Sequence, residues 1–191
     1  MKLVDLIHII IIILELIGFN LSYKHVGKQI IIYYTEISNF ITLVSSILYL
    51  ITDGNVPLLR YLSSCMLAMT ALISLFVLSA QAGFKLTMLE GECLYHHTLI
   101  PLLSISSYLF LEKHSNLWYI PVIISVIYGL LMIYLNYINV LKGPYDFFEI
   151  NKNGIKNTII WMIVLIAIIS VISIVILKIG FYQESLRFPS A

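Results

Sequence analysis

Charge is what this sequence has least of. Its 191 residues hold 11 Lys and Arg against 10 Asp and Glu, so 11% are charged, less than half of the roughly 25% a soluble domain carries. That shortage excludes an ordinary water-soluble enzyme, and the high apolar content excludes a disordered chain. The charges nearly cancel, to a net +1, so no long-range field recruits an acidic partner and no nucleic-acid ligand is expected. Cysteine is scarce as well. Cys65 and Cys93 lie in or beside apolar stretches and build no disulfide framework.

What fills the chain instead is apolar. Hydrophobic residues make up 60% of it, and the mean hydropathy is +0.98. The reading is an all-α polytopic membrane protein of one domain. A membrane span takes about 20 mostly apolar residues, and six runs qualify: Leu3–Leu21, Ile30–Ile51, Tyr61–Phe84, Tyr95–Leu111, Trp118–Val140 and Thr158–Ile179. The connections between them hold the Lys, Asp, Gly, Pro and Asn expected where a chain leaves lipid. Helices are the form that satisfies the backbone inside each run. The first run follows Lys2 as a signal peptide would, but Asp5, His8 and Glu15 interrupt it and no small-x-small cleavage site follows, so it reads as the first helix. The spans fit the cell membrane. Five basic residues on the face of the termini against six opposite set no absolute orientation.

Relative topology says more. With six spans, the first, third and fifth loops share one face. Thr35, Glu36, His96, His97, Tyr145 and Asp146 are then brought to the same membrane face from distant parts of the chain.

Polar residues inside the spans form stripes. In the second run Thr35, Ser38, Asn39, Thr42, Ser45, Ser46 and Tyr49 stand at offsets 0, 3, 4, 7, 10, 11 and 14, one face of a helix. His97, Pro101, Ser104 and Tyr108 align in the fourth run; Ser63, Thr70, Ser74 and Gln81 line the third; Ser125, Tyr128, Asn136 and Asn139 line the fifth. The last run offers Ser170 and Ser173 alone and is expected at the periphery. Hydroxyls and small residues also serve simply to glue helices together. Four helices with polar faces that include Asn, Gln and His imply a polar interior.

Two acids stand out within the spans. Glu36 lies about 9 Å into the second run at the helical rise, close enough either to snorkel to the headgroups or to turn inward. Glu15 is deeper, and with Asp5 and His8 it either lines a proton path or is held neutral against a neighbouring helix.

The segment Glu90-Gly-Glu-Cys-Leu-Tyr-His-His97 opens the fourth run. Glu92 with His96, and Cys93 with His97, share faces at i,i+4. Zinc accepts such side chains, but no second cluster completes a tetrahedral site, and neither metal nor cofactor is assigned. The other chemistry pairs Thr35 with His96 or His97. A threonine hydroxyl becomes a nucleophile once a base takes its proton, and an ester with its acyl chains in the bilayer presents its carbonyl near that depth. Asn39, Tyr145 or a backbone amide would supply oxyanion donors, and Asn39, Tyr145 and Glu36 are the substrate-binding candidates.

Three segments together resemble a known family. Tyr33-Tyr-Thr-Glu-Ile-Ser-Asn39 is similar to the aromatic-aromatic-Thr-x-x-Ser-Asn opening of the second helix in bacterial relatives of the androgen-induced proteins, a family that includes the androgen-dependent TFPI-regulating protein. His97-Thr-Leu-Ile-Pro101 resembles the family's His-x-x-x-Pro, and Pro144-Tyr-Asp-Phe-Phe-Glu149 its Pro-Tyr-Pro-Phe-Leu-Asp, with Gly154 following. Asp146, Phe148 and Glu149 depart from that last motif, and Ser106-Ser107-Tyr108 stands where the family has Asp-Trp. The resemblance implies a six-helix hydrolase of fatty-acid esters of hydroxy fatty acids, with cytoplasmic termini and with Thr35 as nucleophile. Animal members place the histidine five residues before the proline, which selects His96; bacterial relatives place it four before, which selects His97. The shared stripe with Ser104 and Tyr108 favours His97.

Three readings remain at this level. The first is a membrane hydrolase of lipid esters, with membrane lipids as its surroundings. The second is a small proton-coupled transporter using Glu15, Glu36 and the histidines, although no inverted repeat or matched pair of broken helices is visible. The third is a lipid-binding protein without catalysis. The oligomeric state is open. The aromatics Trp118, Tyr119, Tyr145, Phe147, Phe148 and Trp161 also fit a headgroup belt with no chemistry.

Overall fold

The computed structural model describes residues 2–187. Its regular structure is helical, with no strand among the described residues. Helix α1 (Leu3–Val26) stops where Gly27 adopts φ 61°, a left-handed conformation open to glycine. A 3₁₀ stretch (Gly27–Ile32) and the extended Tyr33 then lead into α2 (Tyr34–Ile51). Helix α3 (Pro57–Ala82) begins on a proline, whose missing N–H is one that the first turn leaves unbonded anyway. It contains a π-helical stretch, Ser74–Leu78.

After a short helical turn, Phe84–Met88, comes α4 over residues 91–111. It is α-helical at Gly91–Cys93 and Ile100–Leu111 and π-helical at Leu94–Leu99. Helix α5 (Tyr119–Tyr137) is followed by a 3₁₀ turn, Asp146–Phe148, and by α6 (Ile150–Arg187), which breaks at Gly154.

Five helical stretches are long and apolar enough to cross a membrane: Leu3–Ile32, α2, α3, α5 and Ile150–Leu186 of α6. The fourth expected span is the exception. Its longest regular piece, Ile100–Leu111, has 12 residues, or about 18 Å at the helical rise, short of a hydrocarbon core of roughly 30 Å.

Helix α3 is the centre of the bundle, in contact with α2, α4, α5 and α6, while α1 packs on α2 and α4. Tyr61, Cys65, Met66 and Leu67 of α3 are fully buried. Every member of the α2 stripe from Thr35 to Tyr49 is buried as well, so its 3.6-residue period marks the interior face. Two stripe residues of other helices are exposed. Gln81 falls in the last turn of α3, and Asn139, at φ 57°, lies beyond the end of α5. Helix α6 buries one face, including Leu165, Ile169, Ser173 and Ile176, and Tyr61 Oη donates to the Ser173 carbonyl at 2.7 Å.

Candidate active site

The first turn of α2 leaves its leading amides without partners inside the helix, as every helix start does. Thr35 occupies that turn. Its N–H and its Oγ1 each lie 3.4 Å from Tyr145 Oη. The Tyr145 ring is fixed by stacking on Phe147, centroids 5.1 Å apart, and by an edge contact with Tyr33. The Thr35 carbonyl accepts from Ser38 Oγ and from Asn39 Nδ2, both at 2.8 Å. Asn39 Nδ2 also lies 3.4 Å from the His96 carbonyl. Asn39 thus ties α2 to α4 and does not address the Thr35 hydroxyl.

Thr35 and Tyr145 face a cavity of about 50 Å³, walled by Tyr34, Tyr128, Phe148 and Ile169 among others. That is room for about one or two water molecules. Met69 and Met162 also line it, and their unbranched thioethers are the side chains best able to move aside for a larger guest. No residue of α4 is on its wall.

The two histidines part company. His96 stands between two carboxylates, with Nδ1 3.2 Å from Glu36 Oε1 and Nε2 3.7 Å from Glu15 Oε2. Its ring lies against Gly18, where a Cβ would collide with the imidazole, and Phe19 meets it edge-on at 5.0 Å. Glu36 also accepts from Ser22 Oγ at 2.7 Å, so this acid turns inward and does not snorkel. His97 Nδ1 lies 2.6 Å from the Thr87 carbonyl. A carbonyl only accepts, so Nδ1 carries the hydrogen and the neutral ring has its lone pair on Nε2. Among the described residues that nitrogen makes no hydrogen bond. Neither histidine hydrogen-bonds Thr35, whose hydroxyl is paired with Tyr145. The π-helical turn over Leu94–Leu99 holds both rings buried although they are consecutive, and such bulges recur at functional positions.

A second buried cluster is built on charges outside the polar stripes of the sequence. Arg60 is fully buried and grips Glu112 with two hydrogen bonds, Nε at 2.8 Å and Nη2 at 3.0 Å. It also donates to Ser45 Oγ, Ser63 Oγ and Ser104, joining α2, α3 and α4. His8 Nε2 approaches Glu112 at 3.3 Å. Read from the sequence, Arg60 and Glu112 belonged to loops. The available signal was that those loops share the face of the termini, where opposite charges meet.

Glu92 pairs with His25, and among the described residues no group of three His, Cys, Asp or Glu is placed to hold a metal ion. Asp146 is exposed and caps the loop by accepting Asn153 Nδ2 at its carbonyl. Compared with known proteins, the chain matches no family model, and no curated protein or solved structure is significantly similar to it.

Proposed function

We propose that the chain is a six-helix integral membrane protein of the cell membrane that hydrolyses lipid esters, with Thr35 as nucleophile and His97 as base. The six-span count takes residues 91–111 as one spanning rod despite its π-helical turn. Those 21 residues reach about 31 Å at the helical rise, enough for the hydrocarbon core. The resemblance to the androgen-induced proteins supports the same layout.

The observation that carries the reading is the pairing of Thr35 with Tyr145 at an apolar cavity. The Thr35 hydroxyl oxygen and its helix-start amide both meet the Tyr145 phenol hydroxyl, each at 3.4 Å. An ester carbonyl entering there displaces the Thr35–Tyr145 bond. Thr35 Oγ1 adds to the carbonyl carbon and its proton passes to Nε2 of His97, which the Thr87 carbonyl keeps in the accepting tautomer. The Thr35 amide and Tyr145 Oη donate to the developing oxyanion. Collapse expels the alcohol with the proton from His97, and water then releases the acid from acyl-Thr35 by the same route. Because α4 does not line the cavity, substrate entry must bring His97 Nε2 and Thr35 Oγ1 into contact. The methionines on the cavity wall are the side chains best able to adjust.

The test is hydrolysis of a long-chain ester by the purified protein in lipid nanodiscs. Wild type is expected to turn over, Thr35→Ala to be inactive while inserting normally, and Thr35→Ser to retain part of the rate. Full turnover by Thr35→Ala would overturn the assignment.

A further inference from the structure

Helix α1 turns Val4, His8, Ile11, Glu15, Gly18 and Ser22 inward, one line at alternating spacings of three and four. Its register against the antiparallel α2 is fixed at both ends. His8 stacks on Tyr49 with ring centroids 4.0 Å apart, and Ser22 Oγ donates to Glu36 Oε1. Equal rise along both helices then sets Ile11 level with Ser46, Glu15 with Thr42 and Gly18 with Asn39.

Buried polar atoms ordinarily find partners. Of the twelve among the described residues that lack a hydrogen bond, eight lie on this seam: both ring nitrogens of His8, Ser46 Oγ, both oxygens of Glu15, Asn39 Oδ1, Glu36 Oε2 and His96 Nε2. They run from the Arg60–Glu112 pair at one end of the bundle to Glu36 and His96 at the other. Acids and imidazoles inside a membrane bundle are costly, and proton relays are one of the uses that retain them there.

We propose that the α1–α2–α4 seam is a proton pathway through the bundle, with His96 as its relay. The relay step balances. Protonated Glu15, 3.7 Å from His96 Nε2, closes to hydrogen-bond distance and gives its proton to that nitrogen while His96 Nδ1–H passes its own to the Glu36 carboxylate across 3.2 Å. One O–H and one N–H break, one of each forms, and the cluster's charge is unchanged. The imidazole leaves in its other tautomer and is reset by ring rotation.

The groups facing the relay are Glu15 from α1, Glu36 from α2, and Glu92 and His97 from α4 itself. The Glu92–His25 pair connects this end to the surface. At the far end His8 faces Asp5, Tyr49, Arg60 and Glu112. Glu15 and His8 stand seven positions apart on α1, about 10 Å, and the Ser46 hydroxyl, buried without a hydrogen bond, lies between their levels. This activity does not rest on Thr35 acting as a nucleophile.

The experiment is proton influx into sealed liposomes, driven by a valinomycin-set potassium potential and read by a trapped pH dye. Wild-type protein is expected to admit protons several times faster than protein-free vesicles. Glu15→Gln and Glu36→Gln, each checked for helicity and monodisperse elution, are expected to fall to the protein-free rate. Wild-type influx no faster than in protein-free vesicles would overturn the proposal. So would a Glu15→Gln protein that keeps the wild-type rate, and if that variant does not fold, Glu36→Gln carries the same expectation and the same contradiction.

Discussion

His97 Nδ1 lies 2.6 Å from the carbonyl oxygen of Thr87, and this bond decides which ring nitrogen is able to accept a proton. The acceptor is Nε2, the atom a general base needs. His96 has carboxylates at both nitrogens and is no free base for a hydroxyl.

His97→Asn separates the two jobs of that ring. The Asn amide still offers a donor toward Thr87, but the accepting nitrogen is gone. The expected result is a folded protein whose ester turnover drops by roughly 10²–10⁴-fold, the usual worth of a positioned base. Steady-state kinetics beside a thermal melt check both halves.

Tyr145→Phe removes Oη and keeps the ring that stacks on Phe147 and meets Tyr33. If Tyr145 serves the oxyanion, kcat falls by about 10²–10³-fold with little change in KM. A change confined to KM would make Tyr145 a wall of the site and nothing more.

Arg60 and Glu112 are buried as a pair, and removing one partner strands the other's charge. Arg60→Ala is expected to lose about 3–5 kcal/mol of stability, as is Glu112→Ala. Replacing both by apolar residues of similar volume should cost less than either single change, measured by unfolding in mixed detergent.

Gly18 is required by its neighbour, since a Cβ there would meet the His96 imidazole. Gly18→Ala is expected to destabilise by about 1–3 kcal/mol, the usual cost of overpacking. Combined with His96→Ala, most of that cost should disappear. Additive losses in the double variant would contradict the contact.

Five of the six apolar runs were legible because length and hydropathy are read directly from sequence, and each corresponds to a helix long and apolar enough to cross a membrane; the fourth is interrupted by a π-helical turn. The α2 stripe was legible because its polar residues repeat at the helical period, and all seven from Thr35 to Tyr49 are buried. Counting loops to one face groups Thr35, Glu36, His96 and Tyr145 but not their partners: the pairing expected for Thr35 was a histidine, and the structure gives it Tyr145 while Glu36 takes His96. The division of labour between His96 and His97 was not legible. It depends on a π-helical turn at Leu94–Leu99, which breaks the periodicity used to read α4. Nor was the Arg60–Glu112 clamp, because charges at the ends of apolar runs look like loop residues until packing encloses them.

Labelling with a fluorophosphonate tests the central claim most directly, because a phosphonate captures a hydroxyl only where a base and oxyanion donors are assembled around it. The account predicts that the wild-type protein in nanodiscs is labelled on Thr35 and that Thr35→Ala and His97→Ala are not. Labelling that persists in Thr35→Ala, or a well-folded wild type that takes no label, would contradict it.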